Sequence, residues 1–436
     1  MPRTIALAAS LVAFALIAGA AYVELRAQPE PGPAVRTTEA DDGSRVALQT
    51  PARTLVKGDT RLTLVGVTHI GEPGYYDAIQ TLLGAHDLVL YERVEPAWAQ
   101  QRDDAPPEWN VAATRARIRH TAARVAVAAR QAGEPVTDLD RLDEIVPPDD
   151  PLDRTAETDA WGRPLEVVRI VDGFDVISHG ADGAPGGEGP AADLRLSDQP
   201  ELTDAEIRRS GGLQADLARA AGLAFQLDAI DYNKPGFVNA DVSAERLMAA
   251  LAGRDVGPDA IGAIDNIEPQ ESGLMAMLSG DSPLASIIGG VLRFAGMLPG
   301  GQQTIRLVLI ETLARSDAFL EDAGPALGPQ VDRMMTVLLD LRNDAVLERL
   351  RDALNADNPP RRVALFYGAG HLPGIERTLL NEGWNRDGTE WLTAMRVEAS
   401  PAFSASQIRS IRGMIAGSLE QQMRMLDNQN APQNKR

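Results

Sequence analysis

Apolar residues recur in two rhythms along this chain, and the changes between them outline a fold. From Val46 to Val65 the pattern predicts two strands joined by a turn at Lys57-Gly58-Asp59-Thr60. Tyr75 to Leu83 has helical spacing, and Asp87-Leu88-Val89-Leu90-Tyr91 is a short apolar strand that ends at Glu92. Strand, helix and strand in that order are the signature of a parallel βαβ unit. The style changes after Pro106-Pro107. Asn110 to Gln131 predicts a helix rich in Ala and Arg, Pro147 to Asp153 is rich in Pro and Asp, and Leu165 to Val171 and Phe174 to Ser178 read as strands. A glycine-rich loop from Gly180 to Gly189 follows, and the whole stretch has the size of a small inserted domain.

Helical spacing then dominates from Leu202 to Leu354, with helices expected over Leu213 to Leu223, Ser243 to Ala252, Pro283 to Met297, Thr304 to Ala318 and Pro329 to Leu354. Pro283 to Met297 carries one charge, Arg293, and its length suits a buried core helix better than a membrane span. A strand at Val363 to Tyr367, a helix at Ile375 to Leu380, a strand at Trp391 to Val397 and an amphipathic helix at Gln407 to Leu426 complete the pattern, ahead of a polar tail expected to be disordered. The expected class is α/β, a mixed sheet with βαβ units and a large helical portion, plus a small α+β insertion. The expected divisions are 1–28 as an N-terminal signal, 29–108 and 201–400 as two parts of one domain, 109–200 as the insertion, and 401–436 as a terminal helix and tail.

Charge narrows the partners. A net charge of −20 and a pI near 4.7 argue against nucleic acid and against anionic lipid surfaces, both of which need a basic face. With no cysteine, disulfides, thiolate catalysis and cysteine-bound zinc are excluded. The stretch Ile5 to Val23 has no charge, and its length reads as an uncleaved membrane anchor. The alternative is a signal peptide cleaved near Ala18-Gly19-Ala20-Ala21. Either reading places the rest of the chain outside the cytoplasm, tethered or periplasmic, after a proline-rich linker at Gln28 to Pro33.

Two Gly-x-x-His tetrads carry the chemistry: Gly66-Val67-Thr68-His69 and Gly368-Ala369-Gly370-His371. Each closes an apolar strand, and ligands gather at the carboxyl ends of strands in open α/β sheets. Of five histidines, only these two share that context; His86, His120 and His179 read as structural. A glycine three before each histidine suits a sharp backbone turn. Imidazole is a metal ligand and an acid or base near neutral pH, and Glu92 at a neighbouring strand end completes a His/His/carboxylate set. Arg342-Asn343 offers a carboxylate clamp and a polar orienting group. The two acidic residues of Phe225 to Tyr232 read as solvent-facing on an edge strand.

The sequence Gly66-Val67-Thr68-His69-Ile70-Gly71, with Tyr75-Tyr76 and Asp87 to Glu92 after it, resembles the opening of the TraB/Tiki family. Arg342-Asn343 and Gly368-Ala369-Gly370-His371-Leu372-Pro373-Gly374 resemble its close. The resemblance covers roughly Leu55 to Val397 without the insertion. It implies a fold related to erythromycin-esterase and ChaN-like proteins. It also implies a protease or hydrolase dependent on a divalent metal of the manganese or cobalt type, acting on a peptide or protein substrate. By position it implies His69, His371 and Glu92 as metal ligands, with Glu92, Arg342 and Asn343 in catalytic roles. The general base stays open, because Glu92 cannot easily be both ligand and base.

Asn110 to Gln131, Asp159-Ala160-Trp161-Gly162-Arg163-Pro164, and Ser178 through Gly189 to Leu194 resemble the soluble domain of the major type II secretion pseudopilin, although Ala160 stands where a proline is usual. That resemblance implies calcium in the glycine-rich loop, with Asp182 and Asp193 as ligands ahead of Glu188, and contact with secretion or pilus machinery. The competing functional class is a non-catalytic peptide-binding or secretion-associated protein.

Overall fold

The computed structural model describes residues 30–100, 105–147, 151–171, 173–207, 218, 221–251, 253–254, 300–315 and 337–430. The expected anchor Ile5 to Val23, the core helix Pro283 to Met297, and parts of the helices over 213–223 and 329–354 lie outside these residues. Among the described residues no helix is long and apolar enough to cross a membrane.

The fold is mixed α/β, built on a seven-stranded sheet with parallel and antiparallel pairs. A short strand β1 (Arg36–Glu39) precedes β2 (Arg45–Lys57), which turns at the left-handed Gly58 into β3 (Thr60–Val67). A two-residue strand β4 (Ile70–Gly71) leads into helix α1 (Pro73–Leu83), and β5 (Leu88–Tyr91) follows. Alternation fails in β3 because its last six residues are all buried, so the strand is covered on both faces.

The long helix α2 (Pro107–Ala132) opens the middle of the chain and ends on Gly133, a left-handed C-cap that a side chain would strain. It packs against an antiparallel trio, β6 (Glu166–Ile170), β7 (Gly173–Ser178) and β8 (Leu194–Arg195). Ile118, Val125, Leu142, Val167, Val176 and Leu194 form a core local to this stretch.

Beyond it, β9 (Ala224–Phe225) pairs with β4, and β10 (Phe237–Asn239) runs beside β5. Helices α3 (Ala244–Leu251), α4 (Gly301–Leu313) and α5 (Arg342–Leu354) follow, the last entered through a π-helical turn, Val337–Leu341. Then come β11 (Arg362–Gly368), α6 (Leu372–Asn381), β12 (Asn385–Glu398) and α7 (Ala405–Asn430).

Strand order decides where the site forms. β11 inserts between β3 and β5 and is parallel to both. The βαβ unit expected from sequence therefore has a gap that a strand some 270 residues later fills, as the register pairs Ala364 with both Thr63 and Val89. Glu92 and His69 are thus not on neighbouring strands, which corrects the sequence reading. β10 adds a fourth parallel strand outside β5. On the other side, β12 lines one edge of β2, while β1 and β3 share its opposite edge. Leu62, Leu64, Val363, Leu365, Leu90 and Leu347 pack on one sheet face, and Val65, Val89, Phe366, Tyr76 and Ile79 on the other.

Candidate functional site

Four parallel strands end together, and each hands one polar side chain to the same region. Gly368 pairs with Val67, Phe366 with Tyr91, and Asn239 with Tyr91. His69 follows β3, His371 follows β11, Glu92 follows β5 and Asp241 follows β10. His69, Glu92, Arg342 and His371 line one cavity of about 420 Å³, whose walls include Ala34, Val35, Leu309 and Met395.

The two tetrad glycines make room rather than turns, since neither has a positive φ. A Cβ on Gly66 would come to 3.0 Å from the Leu372 side chain, and one on Gly368 to 3.0 Å from Glu92 Oε2. Gly368 also gives its backbone N–H to Glu92 Oε2. The second tetrad thus grips the carboxylate that the first βαβ unit delivers.

Both histidines are held by a side-chain amide. Asn343 Oδ1 lies 2.8 Å from His371 Nδ1, and Gln226 Oε1 lies 2.8 Å from His69 Nδ1. An amide oxygen only accepts, so each Nδ1 carries the proton and each Nε2 is released for a ligand or a proton. The orientation of Gln226 follows from its other end, where Nε2 donates to Tyr232 Oη at 3.0 Å. Gln226 also gives its backbone N–H to the His69 carbonyl at 2.8 Å. Asn343 fits against α6 because residue 374 is glycine; a Cβ there would sit 2.6 Å from Asn343 Nδ2.

Charge at the centre is unbalanced. Glu92 and Asp241 are buried carboxylates, and one guanidinium serves both: Arg342 Nη2 lies 2.5 Å from Glu92 Oε1 and 2.6 Å from Asp241 Oδ2, with its Nε 2.9 Å from Asp241 Oδ1. His371 Nε2 stands 3.4 Å from Glu92 Oε1. With Nδ1 protonated toward Asn343, that Nε2 faces a carboxylate oxygen, an arrangement favourable only with a proton or a cation between them. Burial pushes the Glu92 carboxyl up, but His371, Arg342 and His69 outweigh it and hold Glu92 well below the usual carboxylate range. Tyr367 beneath them is pushed the other way by burial, Asp241 and Glu92, so its phenol stays protonated.

The donor set suits a divalent ion in part. Two imidazole Nε2 atoms and one carboxylate are the ligand types that borderline metals take. The 3.4 Å between His371 Nε2 and Glu92 Oε1 matches the ligand spacing of a tetrahedron with bonds of about 2.1 Å. Against this, Arg342 and Gly368 already engage both Glu92 oxygens. Among the described residues no group of three or more His, Asp or Glu side chains is tight enough to register as a metal cage. The donor types therefore fit, and for Glu92 binding requires Oε1 to be shared with Arg342.

Sequence reasoning missed Gln226 and Asp241. Gln226 lies in the stretch expected to be an edge strand, but Ala224–Phe225 is strand and Gln226–Ala229 a helical turn. Its one sequence signal was a polar residue amid apolar ones. Asp241 gave none, because its partner Arg342 is 101 positions away.

In the middle region, Asp159 organises the turn Asp159 to Pro164. Its Oδ1 accepts from Trp161 N and Arg163 N at 3.0 and 2.9 Å, and its Oδ2 from Ser178 Oγ at 2.8 Å. Arg163 then donates to the Gly180 and Ala181 carbonyls, fixing the glycine-rich loop. Within that loop the two expected calcium ligands are placed differently. Asp193 accepts from Gly186 N and pairs with Arg195 and His179, raising the His179 pKa through that hydrogen bond. Asp182 Oδ1 accepts from Ala184 N at 3.1 Å. His120 bonds Asp153, and His86 is held by Leu82 and Thr63.

No family model, curated protein or solved structure matches this chain.

Proposed function

We propose that the chain is a membrane-anchored, extracytoplasmic hydrolase of the TraB/Tiki type that acts on peptide bonds. The observation that carries this reading is the pair of amide-held imidazoles that line one cavity together with the buried Glu92–Arg342 pair. A divalent ion of the manganese or cobalt type, held by His69, His371 and a shared Glu92, would polarise the scissile carbonyl and lower the pKa of its water. The chain's own groups do the remaining work. Gln226 and Asn343 fix the tautomers, so that each Nε2 presents its lone pair to the ion. Arg342, on the cavity wall, meets negative charge that develops on the substrate oxygen. Asp241 keeps the guanidinium in place by accepting from its Nε and Nη2.

The test is direct. The full chain is assayed for bound transition metal by elemental analysis and for cleavage of a mixed peptide library, with His69→Ala and His371→Ala in parallel. Metal and cleavage in the wild type, and loss of both in the variants, is the expected result. A wild type that holds no metal and cleaves nothing would sink the reading.

A second reading is favoured by one feature, the full engagement of both Glu92 oxygens. In it the cavity holds a peptide without cleaving it, and the middle region, as a pseudopilin-like unit, docks on secretion machinery. Calcium belongs to that docking role. Asp182 is open to an ion, whereas Asp193 must release Arg195 to bind one. A calcium titration of thermal stability, compared with Asp182→Ala, decides it.

A further inference from the structure

One wall of the cavity comes from neither tetrad. Ala34 and Val35 line it, and they belong to an irregular strap over residues 30–35 that runs ahead of β1. Proline at positions 31 and 33 keeps this strap out of the sheet ladder. What holds it is a charge cluster distant in sequence, centred on a buried carboxylate. Glu376 on α6 is fully buried, and its Oε2 accepts from Gly32 N at 2.9 Å and from Arg53 Nη1 at 2.8 Å. Its Oε1 accepts from Arg386 Nε at 2.7 Å. The same two arginines turn their other nitrogens to the strap, Arg53 to the Pro33 carbonyl and Arg386 to the Glu30 carbonyl. Gly32 permits the approach, since a Cβ there would lie 2.9 Å from the Arg53 guanidinium carbon.

A buried ion cluster is a poor way to add stability, because desolvation offsets most of the attraction, but it is a good way to specify one arrangement. Here the arrangement it specifies is the position of a cavity wall. We infer that the strap is part of the substrate site: Val35, half-buried beside the buried Ala34, is a specificity-determining residue that touches an apolar group of the substrate, and Glu376 is a positioning residue that acts through it. Leu309, Leu313 and Met395 add apolar lining to the same cavity. Helix α6 joins the two tasks, since His371 stands at its N-cap and Glu376 lies within it. The inference rests on the cavity being the substrate site of the proposed hydrolase.

The chain has no cysteine, so Val35→Cys in the full chain offers a single alkylation site. Val171→Cys, at a position 99% exposed in the middle region, is the control. The probes are the blocked tripeptide acetyl-Leu-Val-Leu-amide and its polar counterpart acetyl-Lys-Ser-Lys-amide. At about ten times its Kd the leucine peptide should slow alkylation at position 35 about tenfold by simple mass action, leaving position 171 unchanged. An unchanged rate at position 35 overturns the inference. For positioning, Glu376→Gln should raise KM for the leucine peptide while kcat holds. Should that variant fail to fold, the near-isosteric Val35→Thr carries the test, with KM for the leucine peptide up about tenfold and no change for the polar one. A fall in thermal stability with no change in KM overturns the assignment. Protection without cleavage removes the hydrolase and keeps the strap; cleavage without protection does the reverse.

Discussion

The two tetrads leave parallel neighbouring strands, and each histidine is caught at Nδ1 by an amide oxygen at 2.8 Å. From there they diverge. His371 is 5% exposed, set against Glu92 and edge-on to the Tyr367 ring. His69 is exposed on the cavity lining, and its clasp, Gln226, follows a two-residue strand that pairs with Ile70 and Gly71. One motif thus serves two roles. The buried copy is fixed inside a charge network and helps hold it together, whereas the open copy faces solvent.

Replacing each histidine separates these roles most sharply. Both His69→Ala and His371→Ala should lose up to about 10⁴-fold in peptide cleavage, as removal of an acid–base or ligand group does. Only His371→Ala should also lower the thermal midpoint, because it empties a packed site and removes the imidazole whose Nε2 stands 3.4 Å from Glu92 Oε1. Equal midpoints for the two variants would break the comparison.

Next in size is the network itself. Arg342→Met leaves Glu92 and Asp241 buried with no guanidinium, and stripping one partner from a buried charge cluster costs about 3–5 kcal/mol. Urea unfolding measures it. Adding Asp241→Asn to Arg342→Met should recover part of that loss, because one of the stranded charges is gone. If the double variant is no more stable than the single, the two carboxylates do not share the guanidinium in the way described.

Much of this was legible in the sequence, and what was not has a common cause. The strand end at Tyr91, those at Val67 and Gly368 to within two residues, and the tetrads themselves came from local rhythm, which reports burial and period within a few residues. β11 slotting between β3 and β5 left no local trace, since strand order is settled by packing between segments nearly 300 residues apart. Gln226, Asp241 and the strap at Ala34 and Val35 escaped for the same reason: each matters through partners distant in sequence. Gly66 and Gly368 read as places where the backbone turns and a side chain would clash; the clash is there, the positive φ is not.

The amide clasps give a smaller and more discriminating effect. Asn343→Leu and Gln226→Leu remove the oxygen that fixes each tautomer, and loss of such a supporting partner weakens metal affinity about 10–100-fold. Asn343→Asp and Gln226→Glu keep an acceptor at the same place and should retain most of the affinity. Competition with a chromophoric chelator measures both. A leucine variant that binds metal as the wild type does would remove the tautomer argument for that histidine.

His86 sharpens the comparison at its quiet end. It too is held at Nδ1, here by the Leu82 carbonyl at 3.0 Å, but its Nε2 is taken by Thr63 Oγ1 at 2.9 Å, so neither nitrogen is left for chemistry. Burial, the largest influence, lowers its pKa below the ordinary histidine value of 6.5, partly countered by the Leu82 carbonyl. The folded chain therefore binds this proton less readily than the unfolded one. The stability this neutral histidine contributes is complete above pH 6.5 and is lost as pH falls from there through the folded pKa. Thermal midpoints of wild type and His86→Gln should differ by a constant above pH 7, with the wild type losing ground below 6.5 while cleavage by the two remains the same. A change in cleavage at neutral pH on this substitution would mean that a histidine with both nitrogens occupied still reaches the site. Release of Nε2 would then no longer be what sets the tetrad histidines apart.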